Sequence, residues 1–344
     1  MTKPSCSCIL TLLCLWLLPH ALRAQETIMH CTDSGYCIPS IDGLPRSKGL
    51  VIKQERVQNY RISSTPSSDA SGSGSAEVDY NRRWMLNLRL PVLNREKLKV
   101  AMGLRYNVEE YRFRNASELD YPLYQNLEDK SLKSVGAAVY IMRPFKYNRY
   151  LLLRGSARLN GDYGPSEQPR AEFLKYSATA LYGVKRNQQM TYAFGLAYSY
   201  TFGRATLYPV FTYYKSWTQQ WGTEILLPVY ARLRYAPNEH YRFYLSTELF
   251  GANYNLHLGE GSIPGQGETV FLEKSELRYL LSYEREVYDF LWFSLEAGAR
   301  TNLGFNVASD YRMINNNRLL NNQLGTALVM NASIFLVAPK KFLE

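Results

Sequence analysis

The sequence predicts an all-β fold, a transmembrane antiparallel up-and-down β-barrel of about twelve strands within a range of about ten to fourteen. Three observations predict it. Long segments alternate apolar residues with polar or small ones. Aromatic residues make up 14% of the chain, 28 of them tyrosine, although the mean hydropathy is −0.30. Tight connections alternate, in part, with long ones. Amphipathic rings in such number suit strands that cross a membrane and carry Tyr and Trp at both interfaces.

The chain opens with Lys3, an apolar run from Ile9 to Leu18, and Ala21 and Ala24 ahead of Gln25. This is the pattern of a cleaved secretory signal over residues 1–24, and its core is far shorter than the roughly 20 residues of a spanning helix. Loss of Lys3 and Arg23 leaves 38 basic against 30 acidic residues, a net charge of +8. The charge is dispersed, so neither a nucleic-acid arm nor a polybasic lipid clamp is indicated. Cys31 and Cys37 flank the turn-forming Asp33-Ser34-Gly35. In an oxidising compartment they are disulfide candidates, the alternative being two free thiols. Residues 25–80 are expected to form a flexible leader, because Ser63 to Ala76 is almost wholly Ser, Gly, Thr, Pro, Asp and Ala. A first strand over Val51–Ile62 is the competing reading of that stretch.

Residues 81–344 are assigned to the barrel. A strand turns successive side chains to opposite faces, so a lipid-facing strand must be apolar on one of them for about ten residues. Strands are expected at 82–92, 97–108, 131–142, 149–160, 173–184, 190–202, 205–214, 222–235, 241–254, 273–284, 291–303 and 323–337. The clearest places Tyr192, Phe194, Leu196, Tyr198, Tyr200 and Phe202 opposite Thr191, Ala193, Gly195, Ala197, Ser199 and Thr201. A second strand hidden near Trp217–Ile225, with Val51–Ile62, would raise the count to fourteen. Runs of this length exceed the five or six residues usual in soluble sheets. Tight turns are read at Asn94–Glu96, Phe145–Asn148, Arg186–Gln188, Pro237–Glu239 and Val287–Asp289. Residues 109–130, 161–172, 255–272 and 304–322 are read as long loops.

The Ala24-Gln25 junction, the Leu227-Pro228 strand leading into the Tyr235–Tyr241 hairpin, and the strand from Ser275-Glu276-Leu277 to Tyr283-Glu284 resemble small outer-membrane barrel families of Bacteroidetes-type bacteria with no assigned function. The resemblance covers roughly residues 80–340 in pattern. It implies an exported barrel in the outer membrane of a Gram-negative cell, brings no catalytic residues, and implies outer-membrane lipid, lipopolysaccharide and the barrel-assembly machinery as partners. The chain departs from the usual aromatic ending, since Pro339–Glu344 follows the last apolar strand with Phe342 third from the end.

If polar faces point inward, the lumen carries Arg105, Arg154, Arg158, Arg232, Arg234, Arg278 and Arg300 with Glu248, Glu276 and Glu296. A positive excess would favour anionic or polar solutes in a porin-like passive role. The same charges could instead pair across strands and fill the barrel as a polar core. A surface-binding barrel that recognises a glycan or partner through long loops, notably the Asn-rich 304–322, is the alternative. No enzyme is expected. His30, His240 and His257 lack a nucleophile at short spacing, and the Gly259–Gly267 stretch is not followed by the Lys-Ser or Lys-Thr of a phosphate loop. No cofactor and no metal site is expected.

Overall fold

The computed structural model describes residues 40–67, 72–145, 148–164, 171–258, 269–310 and 318–339. The predicted signal, Cys31, Cys37 and His30 lie outside them. In chain order the strands are β1 (Lys48–Pro66), β2 (Gly74–Arg95), β3 (Leu98–Phe113), β4 (Leu132–Phe145), β5 (Arg149–Gly161), β6 (Leu174–Asn187), β7 (Met190–Ser199), β8 (Thr206–Ser216), β9 (Trp221–Leu227), β10 (Tyr230–Asn238), β11 (Tyr241–His257), β12 (Thr269–Tyr288), β13 (Leu291–Ala308), β14 (Arg318–Leu324) and β15 (Ala327–Val337). Each pairs antiparallel with its neighbour, and β1 closes the sheet on β14 and β15. Because β14 and β15 run in line along β1 and β13, the wall is a closed barrel of 14 strands, at the upper limit of the expected range. Among the described residues no helix is long and apolar enough to cross a membrane.

The outer face is an apolar belt. Leu104, Leu196, Leu245, Leu281, Leu295 and Leu328 are each more than half exposed. Above them Tyr106, Tyr198 and Tyr279 are also exposed, each about eight or nine residues from the tight turn of its hairpin. At ~3.3 Å per residue and a tilt near 40°, that height is about 20 Å, close to the apolar band of an outer-membrane barrel. Trp217, Trp221, Tyr288 and Phe290 mark the turn end. An exposed belt so continuous would be a liability in water and fits contact with lipid.

The loop end is filled rather than hollow. Helix α1 (Pro122–Asp129), inside a stretch read as loop, starts with Pro122 in the first turn. It buries Leu123, Tyr124 and Leu127 against Ile62, Val78, Phe113, Leu132, Leu256 and Phe305. Tyr124 is fixed by Ser64 (2.7 Å) and the Gly74 carbonyl (3.1 Å). The helix therefore lies across the mouth as a lid over a dry core.

Two expectations need correction. Residues 48–66 and 74–80, placed in a flexible leader, are strands β1 and the start of β2. The Ser- and Gly-rich stretch supplies the end of β1 through Pro66 and the start of β2 from Gly74. Residues 222–235, read as one strand, are the hairpin β9–β10, which turns about Pro228. Leu226 pairs with Tyr230, so odd residues face outward on both arms, and the alternation continues in phase through the turn.

Candidate functional site

Below the lid, inward side chains of β1, β2, β3, β12 and β13 form a layer of buried ions. Glu55 accepts from Arg278 at 2.6 and 2.9 Å and from Arg83. Glu276 accepts from Arg278 Nε at 2.8 Å and lies 3.6 Å from Arg300. Lys274 is bonded to Glu109, which also accepts from the Tyr111 hydroxyl at 2.9 Å. The Arg83 and Arg278 guanidiniums stand 4.1 and 4.7 Å from the Phe250 ring centroid, and Arg300 stands 4.2 Å from that of Tyr60. Every member is at most 5% exposed. Four cations meet three carboxylates, close to the balance that ions removed from water require.

The other side of the interior is different. A cavity of about 1130 Å³ lies between the inner faces of β2–β8 and those of β9–β12. Arg105, Arg154, Arg158, Arg232, Glu248 and Arg278 line it, as does Arg89. Arg232 pairs with Glu248 at 2.7 Å, and Arg278 belongs to the ion layer. No carboxylate among the described residues forms an ion pair with Arg89, Arg105, Arg154 or Arg158.

The strands set these four out in two ranks. In one, Arg105 pairs across with Gly136, and Gly136 with Arg158. A Cβ on Gly136 would meet Arg158 Cγ and the Ala157 carbonyl at 2.5 Å, so the glycine lets the Arg158 stem pack against it. Arg105 Nε is anchored on Asn87 Oδ1 at 2.7 Å. In the other rank, Tyr140 lies opposite Arg154, and the Arg89 and Arg154 guanidiniums stand 4.6 and 5.6 Å from its ring centroid. Gly103 leaves the space this ring occupies, since a Cβ there would come within 3.1 Å of it. Ser156 and Ser177, hydrogen bonded at 2.6 Å, sit between the ranks. Toward the turn end the wall becomes apolar, with Tyr150, Leu181, Ala197, Tyr208 and Val210 packed together and Leu152 and Leu226 against them.

The chamber exists because β11 leaves the outer wall. Strands β9 and β10 have 7 and 9 residues, whereas β11 and β12 have 17 and 20. The free upper part of β11 reaches across to β5, where Asn255 and Gly161 make a parallel bridge. Asn160 Nδ2 donates to the Asn253 carbonyl at 3.0 Å, and Asp162 N to that of Asn255 at 3.2 Å. The turn between β7 and β8 is tied to the same arm, with Asn253 Nδ2 donating to the Gly203 carbonyl at 3.1 Å and Arg204 bonded to Glu273 at 2.6 Å. Leu249 and Gly251, on the outward side of β11, therefore line the chamber.

At the turn end, residues 40–47 cross the mouth. Asp42 N donates to the Gln188 carbonyl at 2.7 Å, the Asp42 carbonyl accepts from Ser216, and that of Gly43 accepts from Arg234. Arg46 bonds Asp289 and the Ala338 carbonyl, each at 2.8 Å. Ser40, Leu44, Pro45 and Ser47 thereby floor the chamber.

The ten residues predicted to line the lumen thus divide. Six line the chamber, while Glu276 and Arg300 belong to the ion layer. Arg234 holds the strap. Glu296 accepts from Lys53 and, at 2.6 Å, from its cross-strand neighbour Asn331 on β15. Sequence reasoning missed Glu55, Arg83, Arg89, Glu109, Tyr140 and Lys274. Extending the alternation about Trp84 and Leu86 would have turned Arg83 and Arg89 inward, and Lys274 shares the parity of Glu276 and Arg278.

Neither a family model nor a curated protein matches the chain. Among solved structures it is similar to a Pseudomonas aeruginosa FadL homologue, with 6% identity and a TM-score of 0.42 over 85% of this chain and 90% of that one. It is also similar to the Pseudomonas putida toluene transporter TodX, with 8% identity and a TM-score of 0.32 over 86% of this chain and 90% of that one.

Proposed function

We propose that this protein is an outer-membrane barrel that passively admits small anionic solutes into its arginine-lined chamber. One observation carries the reading: the guanidiniums of Arg105, Arg154 and Arg158 face a common cavity and pair with no carboxylate among the described residues, while the arginines of the ion layer are matched by glutamates. Cations held apart from counter-charges in a low-dielectric enclosure attract anions and repel cations. The apolar belt and the signal pattern support the location. Lipid, lipopolysaccharide and the assembly machinery are the partners this location implies. The lid and the strap make the conduit a gated one. A non-catalytic role agrees with where the histidines sit: His240 bonds Glu286 in a turn, and His257 is held by Asp162 in the wall.

Planar-bilayer recording tests the reading. Inserted protein should show stepwise conductance with a reversal potential favouring chloride over potassium, and Arg154→Ala or Arg158→Ala should reduce that preference. A cation-selective wild type, or silence over many insertions, would remove it.

A further inference from the structure

We infer that the chamber selects organic anions that carry at least two negative charges and an apolar body, rather than small inorganic anions or neutral hydrocarbons. This deepens the proposed function and rests on it.

The inward side chains along β5 change character from the turn end to the loop end. Tyr150 and Leu152 come first, then Arg154, Ser156 and Arg158. The wall therefore changes from apolar to cationic within β5, and on β6 the apolar Leu181 gives way to the polar Thr179 at the same level. Leu152 pairs with Leu181, and Arg154 with Thr179. Across the next ladders, Leu181 meets Gly195 and Gly195 meets Val210. An apolar row thus lies directly below the rank that contains Arg154. A ligand seated there meets both environments at once.

Charge multiplicity follows from the count of cations. The rank of Arg105 and Arg158 lies about four residues from that of Arg154, or ~13 Å along the strand, and each rank carries two guanidiniums when Arg89 is included. A monoanion would leave most of this charge uncompensated in a partly dry enclosure, at a large desolvation cost. A phosphate monoester or a dicarboxylate offers two charges and the multiple acceptor oxygens that guanidinium forks bind best. Of Ser156 and Ser177 between the ranks, one hydroxyl donates to the other and the second is left to donate to the same oxygens. The apolar row would in turn shelter the ring or chain of such a molecule. At about 1130 Å³ the chamber is a little larger than the ~300 to ~1,000 Å³ usual for ligand pockets, so such a molecule fits with room for water.

The test is calorimetric titration of the full-length protein in detergent with 1-naphthyl phosphate, inorganic phosphate and 1-naphthol. Naphthyl phosphate should bind at least about tenfold more tightly than either half-molecule. Arg154→Gln should weaken it by about tenfold. Val210→Thr, nearly isosteric, should weaken naphthyl phosphate a few-fold and leave inorganic phosphate unchanged. Equal affinity for phosphate and naphthyl phosphate, insensitive to Val210→Thr, would overturn the amphipathic class while leaving an anion-selective conductance intact. Equal affinity for naphthol and naphthyl phosphate would overturn the charge requirement. Loss of all binding together with loss of anion preference in bilayers would remove the underlying reading too.

Discussion

Asp162 follows the last residue of β5, and its side chain has no exposed surface. It accepts from His257 N at 2.8 Å, His257 Nδ1 at 3.0 Å and Asn126 Nδ2 at 3.1 Å, with Lys130 Nζ at 3.4 Å. One carboxylate therefore joins the lid helix to the ends of β5 and β11. Burial alone would push its pKa up, but the hydrogen bonds from His257 and Asn126 and the charge of Lys130 outweigh burial and hold it below the usual 3.8. A depressed carboxylate stabilises the fold fully above its unfolded-state value, and that stability is lost as pH falls through the lower folded value. Amide protection in α1, normalised for intrinsic exchange, should be flat above about pH 5 and fall below about pH 4. Asp162→Asn should be less protected at neutral pH and lack the acid step. Parallel profiles for the two proteins would show that the carboxylate does not hold the lid. At this scale the sequence was informative only where a residue lay in a long alternating run. Arg105, Arg154 and Arg158 could be placed inside from such runs, whereas Asp162 lay in a stretch read as loop and gave no periodic signal.

Among the elements, β11 decides the interior, and its bridge to β5 depends on a missing side chain. A Cβ on Gly161 would lie 2.2 Å from the Phe173 ring and 3.0 Å from the Asn255 carbonyl. Gly161→Val should therefore force the strands apart and cost ~1–3 kcal/mol, read as a lower urea midpoint in micelles, with faster proteolysis at the loop end. An unchanged midpoint would mean the bridge is dispensable. The strands missed from sequence were missed for a reason of phase. In β1 the inward side chains Lys53, Glu55 and Val57 are odd-numbered, while Tyr60, Ile62 and Ser64 are even. The switch falls at Asn59, which has a φ of 50°. A left-handed residue that resets the alternation without breaking the register makes one long strand look like none. The β9–β10 hairpin has the opposite fault, since its turn preserves the phase and makes two strands look like one. The helix is too short for its apolar spacing to stand out from a loop.

For the whole molecule, the interior has three levels: a dry lidded core at the loop end, a balanced ion layer beside an unbalanced cationic chamber, and a strap across the turn end. The lid and the strap are held very differently. α1 buries apolar side chains and the Asp162 cluster, whereas residues 40–47 cross the mouth on a few hydrogen bonds and the ion pairs of Arg46, a close one with part-exposed Asp289 at 2.8 Å and a long one with Glu286 at 4.0 Å. Such a pair is worth about 1 kcal/mol after solvent screening. Arg46→Ala should raise the probability that the turn end is open by about fivefold, seen as longer open events in bilayers without a change in ion preference. Unaltered gating would show that the strap does not control access. The fold class could be read in the sequence because lipid imposes one rule on every strand. The enclosed volume could not, because it arises from differences in strand length that no single strand carries.

Strands β6–β10 bow outward between β5 and β11, which touch at the loop end through the Asn255–Gly161 bridge. The chamber is thus an annex whose size is set by short hairpins, while the seal is set by other parts of the chain. Lengthening or re-lining those hairpins would alter the cargo space without touching the barrier, so cargo preference and barrier integrity can be inherited, or engineered, as separate traits.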